Sequence, residues 1–323
     1  MAKLIQLKLS QIKYGGDSIG DDIRIEVECL NRTFGLNKQI KNADNVLVNV
    51  EIGQFPVDHA SPQITVTIRV IEQDLIFNDV GTKQEKFKLN LNTEAPQYLT
   101  SSIEVREIRG YPTKKKALFA VTIEARVSDM MLYVAYEHGV GGWTNALPAN
   151  NPKPIGLPAY LKVMLEKDDG KRQYFKIMEG ILQGTDASVK FQSNGTSYLQ
   201  IENPQTESAH LVYSRSHRTL KFHDKIYATR DYAEDPEPWK NGHYDIEIPD
   251  ASHKGGEHYL RYAKLAKVWF RIGHSGARYL HTGAFSLGCV TLTEHNRWDD
   301  LCKILMRARK GDSKSIGVLE VVD

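Results

Sequence analysis

The sequence predicts a mainly β protein with more than one domain. Apolar and polar residues alternate in short runs along the first 128 residues, and Gly, Asn, Asp and Pro separate these runs. Helical periods are scarce, and the clearest spans about residues 298–309, where Trp298, Leu301 and Leu305 share one face. A length of 323 residues is enough for two or three domains.

Composition and charge limit the class of protein. Hydrophobic residues make up 41% and charged residues 25% of the chain, as in an ordinary globular protein with a buried core. The formal net charge of +2 is too close to neutral to favour nucleic acid as a partner. Cys29, Cys289 and Cys302 are too few for a disulfide framework and lack metal-ligand spacing, so we predict no metal and no other cofactor. We expect Cys302 to be a small buried residue of the predicted helix.

The N-terminal segment, residues 1–128, is predicted to be a β-sandwich. Its alternating runs are short and closely spaced, as in two packed antiparallel sheets, and they include those that start at Ile23, Val46, Ile64 and Phe87. The first nine residues also alternate and lack the uninterrupted apolar core of a signal peptide. No apolar run has transmembrane length.

Two acidic loops interrupt this segment, one with Asp17, Asp21 and Asp22 and the other over residues 72–81. The second loop resembles the third-strand loop of C2 domains, so the sandwich is expected to be C2-like. Carboxylates gathered at one end of a sandwich could bind Ca²⁺. Because a dense Asp-x-Asp pattern is absent, we expect solvated turns and a docking or targeting domain without metal. A basic loop over residues 103–116 leaves membrane contact by this domain open.

Residues 129–209 are predicted to be either a β-rich connecting module or the front of the domain that follows. Residues 139–154 are rich in Gly, Pro and Asn, which indicates a loop or linker. Strands are predicted on both sides of the turn at residues 168–170. Asn194-Gly195 is a strong signal for a further hairpin.

The last segment, residues 210–323, contains the residues with the clearest chemistry. Two apolar, strand-like pieces carry His281 and, eight positions later, Cys289. A cysteine is nucleophilic as a thiolate, and a neighbouring imidazole is a common means of forming one. Gly288 lets the backbone bend sharply and brings amide N–H groups to the carbonyl that the sulfur would attack.

This stretch resembles the active site of the L,D-transpeptidase (YkuD-like) family, which has a strand ending in His, a flap, and then Ser/Thr-His-Gly-Cys. Residues 279–282, Tyr-Leu-His-Thr, correspond to the first half, and residues 286–290, Ser-Leu-Gly-Cys-Val, to the second. Leu287 replaces the family's second histidine, and the flap is shorter than usual. The resemblance covers roughly the last third of the chain and implies a β-rich catalytic domain with a few helices over residues 210–323.

The resemblance also implies a role for each residue of the motif. Cys289 would be the nucleophile and His281 the base, with its ring oriented by the backbone carbonyl of Thr282. Ser286 would form a hydrogen bond within the site. Backbone N–H groups near Gly288 would form the oxyanion hole.

Further residues near the motif are candidates for the surroundings of the site. His274, fifteen positions before the cysteine, is a rival to His281 as the base. The candidate ligands of a substrate carboxylate are Arg278, His274, His243 and His253. For each of them, an ordinary surface position is the alternative.

The implied function is cysteine-dependent acyl transfer on peptidoglycan stem peptides, by an L,D-transpeptidase, a D-amino-acid exchange enzyme or an L,D-carboxypeptidase. Without a visible leader, we expect synthesis in the bacterial cytoplasm and export to the periplasm or cell wall. One such setting is an antibacterial effector, with a secretion-system component or an immunity protein as a partner. The alternative, which Leu287 favours, is a non-enzymatic cell-envelope binding or docking protein with a degenerate transpeptidase fold.

Overall fold

The protein is mainly β, as predicted. The computed structural model describes residues 2–57, 63–74, 78–107, 115–231 and 238–323. The chain divides into two compact units, Met1–Met130 and Met131–Asp323. Residues 131–209 therefore belong to the same unit as residues 210–323.

The first unit is an antiparallel β-sandwich. Its described residues form two four-stranded sheets, one in the order β4-β1-β8-β7 and the other in the order β3-β2-β5-β6. The strands are β1 (Lys3–Gly16), β2 (Asp22–Cys29), β3 (Arg32–Gln39), β4 (Asn45–Val57), β5 (Gln63–Glu72), β6 (Asp79–Lys88), β7 (Gln97–Arg106) and β8 (Lys116–Asp129). Alternation buries one face of each sheet, as with Ile23, Ile25 and Val27 of β2, because successive side chains of a strand point to opposite faces.

The acidic loop between β5 and β6 differs from its prediction. Glu72 and Asp79 are each only 3% exposed, so the prediction of solvated turns is wrong for these two residues. Burial, together with the nearby carboxylates of Asp74 and Asp79, raises the pKa of Glu72 to about 7. Residues 75–77 of this loop, and residues 108–114 of the predicted basic loop, lie outside the described part of the chain.

The second unit contains two larger sheets. Among its described residues, a seven-stranded sheet has the order β11-β10-β14-β13-β12-β9-β15, and an eight-stranded sheet has the order β19-β23-β16-β17-β18-β22-β21-β20. The strands of the first are β9 (Met131–Val134), β10 (Trp143–Pro148), β11 (Ile155–Pro158), β12 (Lys162–Asp168), β13 (Arg172–Ile177), β14 (Asp186–Lys190) and β15 (Leu199–Gln200). Those of the second are β16 (Ala209–Ser214), β17 (Thr219–Phe222), β18 (Lys225–Arg230), β19 (Gly242–Glu247), β20 (Phe270–Arg271), β21 (Tyr279–Thr282), β22 (Val290–Leu292) and β23 (Ser315–Val322).

Of the two turns predicted in residues 129–209, the first joins paired strands and the second does not. β12 and β13 pair as a hairpin around residues 168–170, as predicted. The hairpin predicted at Asn194-Gly195 is wrong, because β14 pairs with β10 and β13 whereas β15 pairs with β9. The segment still turns there, with the Gly195 N–H donating to the Gln192 carbonyl at 2.9 Å. Long-range strand pairing thus overrides the hairpin pairing that the local turn signal favours.

The predicted helix near the C-terminus is present as α1 (Trp298–Arg307), preceded by a short 3₁₀ turn, His295–Arg297. A second 3₁₀ turn spans Lys254–Tyr259. Helix α1 buries its apolar face, which includes Cys302, and burial raises the pKa of the Cys302 thiol well above its usual value. In the described part of the chain, no helix combines the length and apolar character needed to cross a membrane.

A buried ion pair joins two connecting segments of the second unit, one between β13 and β14 and the other between α1 and β23. Arg309 Nη2 lies 2.7 Å from Glu179 Oε1, and the two side chains are only 9% and 5% exposed. The same carboxylate oxygen accepts hydrogen bonds from the Lys162 N–H and from Gln205 Nε2, both at 2.8 Å. These bonds replace the water that both charges lose on burial.

Candidate active site

His281 and Cys289 are positioned by two neighbouring parallel strands, β21 and β22. His281 is in β21, and Cys289 directly precedes β22. The register pairs His281 with Thr291 and Leu280 with Val290, so the cysteine lies beside the start of β21. Seven residues connect the two strands, a short link for parallel neighbours, which usually need a dozen or more.

The His281 ring is fixed in one tautomer. Its Nδ1 lies 2.9 Å from the backbone carbonyl oxygen of Thr282, the carbonyl that the resemblance implies. A carbonyl oxygen can only accept, so Nδ1 carries the hydrogen and the neutral ring has its lone pair on Nε2. Nε2 lies 3.2 Å from Thr291 Oγ1, whose hydroxyl therefore donates to it. Nε2, the nitrogen that could accept a thiol proton, is thus hydrogen-bonded to the Thr291 hydroxyl.

An aromatic stack covers the ring. Trp269 stacks on His281 with 4.1 Å between ring centres, and His253 stacks on Trp269 at 4.5 Å. His281 is 5% exposed, and this burial lowers its pKa to about 4 although the Thr282 carbonyl acts in the opposite direction. The imidazole is therefore neutral at physiological pH.

The Cys289 thiol is also neutral at rest. The residue is 7% exposed, and its Sγ lies 3.9 Å from the Ala277 carbonyl oxygen. Burial raises the pKa of the thiol, while a hydrogen bond from the Tyr279 backbone and the charge of Arg278 act to lower it. At rest, Cys289 is thus a thiol and His281 a neutral imidazole.

The loop between the two residues (residues 283–288) exposes apolar side chains. Ser286 Oγ donates to the Cys289 carbonyl at 2.7 Å and anchors the end of the loop. Gly288 has a φ of +89°, a conformation that favours glycine directly before the cysteine. Phe285 and Leu287 are 83% and 85% exposed, so the residue that replaces the family's second histidine faces solvent.

His274, the other candidate for the base, is hydrogen-bonded to two carboxylates. Its Nδ1 and Nε2 each lie 2.9 Å from a carboxylate, of Glu247 and Asp245 respectively. These hydrogen bonds raise the pKa of His274. Both ring nitrogens therefore bind carboxylates and not the thiol.

The other candidate ligands of a substrate carboxylate lie in different surroundings. The guanidinium of Arg278 lies 4.8 Å from the ring centre of Trp239. His253 bonds to Asp250 at 2.9 Å in addition to its stacking, so it belongs to the packed wall of the site and not to the open surface. His243 is exposed on β19 opposite Glu320, in a cluster described below.

Sequence reasoning missed several residues that shape this site. Thr291 could have been found, because it lies two positions after the cysteine and alternation places it on the same side of a strand. Trp269 lies twelve positions before His281 and directly precedes β20, the antiparallel neighbour of β21, so a hairpin prediction could have placed it beside the histidine. The carboxylate of Asp250 could not have been found, since it is distant in sequence. Asp250 Oδ2 accepts from Arg271 Nη2 at 2.6 Å and from the Tyr279 hydroxyl at 3.2 Å, which ties the stack to β20 and β21.

Comparisons with known proteins add little to this picture. The chain matches no family model and no curated protein. Among solved structures it is similar to a C2 domain (15% identity, 39% of this chain and 98% of that one, TM-score 0.25). It is also similar to the C2A domain of plant extended synaptotagmin 1 (12% identity, 39% of this chain and 93% of that one, TM-score 0.26). A third similar structure is human GIVD cytosolic phospholipase A2 (5% identity, 60% of this chain and 31% of that one, TM-score 0.25). At such TM-scores, these likenesses carry no argument about what the chain binds or does.

Proposed function

We propose that the second unit is a cysteine-dependent acyltransferase that acts on peptidoglycan stem peptides. The observation that carries the proposal is the fixed tautomer of His281 on the strand beside Cys289. With Nδ1–H donating to Thr282, Nε2 is the nitrogen that can accept the thiol proton, as in other nucleophile–histidine sites. The resemblance of residues 279–290 to the L,D-transpeptidase motif supports the choice of substrate.

The proposed chemistry has two acyl-transfer steps. Cys289 Sγ attacks the carbonyl carbon between the third residue and the terminal D-Ala of a tetrapeptide stem, while its proton passes to His281 Nε2. The C–N bond then breaks, D-Ala leaves with that proton on its amine, and a thioester remains. An amine of another stem, a free D-amino acid or water then attacks the thioester carbon. The C–S bond breaks, the attacking group gives up a proton that returns through His281 Nε2 to Cys289 Sγ, and the product is a crosslinked, exchanged or trimmed stem.

The neutral resting states of Cys289 and His281 determine when the proton is transferred. Since the thiol pKa is raised and the imidazole pKa is lowered, proton transfer accompanies the attack and does not precede it. Backbone N–H groups near Gly288 would stabilise the oxyanion as it forms. The short loop leaves room for small acceptors and favours exchange or trimming over crosslinking.

The proposal includes a setting. Stem peptides are found in the periplasm and cell wall, so the chain would act there after export, with the N-terminal sandwich as a docking or targeting domain. A secretion-system component or an immunity protein would be its protein partner.

Mass spectrometry of muropeptides tests the activity. Purified stem tetrapeptides are incubated with the wild type, with Cys289→Ala and with Cys29→Ala, a matched cysteine change in the other unit. We expect loss of D-Ala, or its exchange for an added D-amino acid, with the wild type and Cys29→Ala and not with Cys289→Ala. A cut at another bond that survives in Cys289→Ala would contradict the transpeptidase proposal.

A second candidate is a non-enzymatic protein that binds or docks to the cell envelope. The observation that favours it is Leu287, which offers an exposed apolar side chain where the family has a histidine. This candidate predicts unchanged muropeptides with every variant and retention of both wild type and Cys289→Ala on isolated sacculi. Turnover that depends on Cys289 would exclude it.

A further inference from the structure

A cluster of two histidines and a glutamate lies on three neighbouring strands of the eight-stranded sheet. β23 runs between β19 and β16, and the register sets His243 of β19 directly opposite Glu320 of β23. His210 of β16 is opposite Val318, two positions before Glu320. Leu319 and Val321 are buried, so Glu320 points to the opposite, outer face of the sheet.

The three side chains are close enough to share one ligand. His210 Nε2 lies 3.1 Å from Glu320 Oε2. One ligand atom from each of the three residues lies within 4.8 Å of the other two. In the described part of the chain, His243 forms no hydrogen bond or ion pair, so its imidazole is available.

A second group of histidine and carboxylate side chains in this unit is already neutralised. Asp245, His274 and Asp312 are equally close to one another. Lys310 Nζ, however, bonds to Asp245 at 2.6 Å, and both His274 nitrogens bind carboxylates. A protein cation thus occupies that group, whereas His210, His243 and Glu320 contain none among themselves.

We propose that His210, His243 and Glu320 form a binding site for a transition-metal ion of the Zn²⁺ class. Two imidazoles and one carboxylate are a donor set that Zn²⁺ and its neighbours accept, and that Mg²⁺ and Ca²⁺, which favour oxygen, do not. At metal–ligand distances of about 2.0–2.2 Å, tetrahedral ligands lie roughly 3.3 Å apart. His210 and Glu320 lie 3.1 Å apart, close to this separation, and a ring nitrogen of the exposed His243 lies within 4.8 Å of both.

The backbone makes this site stiffer than an ordinary group of surface histidines. Each ligand is in a different strand, and hydrogen bonding between the strands fixes the separation of their Cα atoms. Three protein ligands leave the fourth position to a water molecule on the solvent side. Bound metal would link β16, β23 and β19, and it would stabilise the second unit by mass action.

Isothermal titration calorimetry of the metal-free full-length protein with ZnCl₂ tests the site. The variants are His243→Ala and Glu320→Gln, and the matched control is His258→Ala, which removes an exposed histidine outside the cluster. Cys289→Ala tests whether the thiol contributes to zinc binding. Circular dichroism and the melting temperature of each metal-free variant establish that it is folded.

We expect one equivalent of zinc to bind the wild type, His258→Ala and Cys289→Ala alike, in the presence of excess MgCl₂. His243→Ala and Glu320→Gln should each weaken binding at least roughly tenfold, because losing even an outer-shell partner commonly costs 10–100-fold in metal affinity. Zinc should raise the melting temperature of the wild type but not of these two variants. Absence of zinc binding to the wild type, or unchanged affinity in both folded variants, would overturn the proposal.

Discussion

Replacing Thr291 by valine should make the Cys289 thiol more reactive. The Thr291 hydroxyl donates to His281 Nε2 at 3.2 Å, and this nitrogen accepts the thiol proton in the proposed mechanism. Valine keeps the shape of the side chain and removes the hydroxyl. Nε2 is then free at all times, provided that the ring stays bound to the Thr282 carbonyl.

The size of the effect follows from the hydrogen bonds of that hydroxyl. A neutral hydrogen bond contributes about 0.5–1.5 kcal/mol net. Thr291 Oγ1 also lies 3.4 Å from the Phe285 carbonyl oxygen, a second acceptor to which the hydroxyl can turn. Because both contacts are long and share one hydrogen, the lower half of this range applies, which corresponds to a rate increase of about 2–5-fold.

Alkylation with iodoacetamide, followed by peptide mass spectrometry, measures the rate at each cysteine separately. Cys29 and Cys302 act as internal references, since burial raises the pKa of both thiols. Thr293→Val is the matched control, because its hydroxyl bonds to the Ala228 carbonyl at 3.2 Å and not to the histidine.

The His281→Ala background identifies the route of the effect. If Thr291 acts through the imidazole, Thr291→Val changes nothing once the imidazole is gone, and the double-mutant cycle shows strong coupling. An equal or lower alkylation rate in Thr291→Val alone would refute the reasoning, since Nε2 would then not limit deprotonation of the thiol.

Two further predictions concern stability, and scanning calorimetry measures both. Glu179→Ala leaves the buried charge of Arg309 without its carboxylate and should cost about 3–5 kcal/mol. Replacing both residues by methionine also removes the acceptor of the Lys162 N–H and of Gln205, so it should recover only part of this loss; equal loss in the single and double variants would contradict it. Glu72 has a folded pKa of about 7 against a usual 4.5, so its contribution is complete below pH 4.5 and is lost as the pH rises through 7. Glu72→Gln should therefore remove a fall of up to about 3 kcal/mol in the stability of the first unit between pH 4.5 and pH 8, and an unchanged pH profile would count against the raised pKa.

Much of the fold could be predicted because it depends on alternation. In strands such as β2, the alternation of apolar and polar residues in the sequence predicts that every second residue is buried. In α1, the helical spacing of apolar residues predicts the buried face in the same way. Which strands pair with each other was harder to predict from the sequence. At Asn194-Gly195 a strong local signal gives a turn whose flanking strands pair elsewhere, since long-range partners decide the pairing.

The candidate site also has a part that the sequence predicts and a part that it does not. The positions of His281 and Cys289 on adjacent strands follow from spacing within one short stretch. The stacking of Trp269 on His281 depends on the pairing of β20 with β21, and the half-buried Asp250 behind it belongs to a segment that only the tertiary fold brings to the site. Burial of Glu72 was missed for a related reason, because loop carboxylates are usually solvated.

Burial alone does not separate a catalytic Cys289 from a structural one, since it raises the pKa of the thiol in either case. The imidazole offers a sharper test. His281 is held with Nε2 as acceptor, and the hydroxyl on that nitrogen has a second acceptor at Phe285. In the proposed mechanism, His281 is therefore a base that is neutral, oriented and easily released from this hydroxyl, as attack by a neutral thiol requires. For this reason the alkylation rate of Thr291→Val bears more directly on the proposed activity than the burial of the cysteine does.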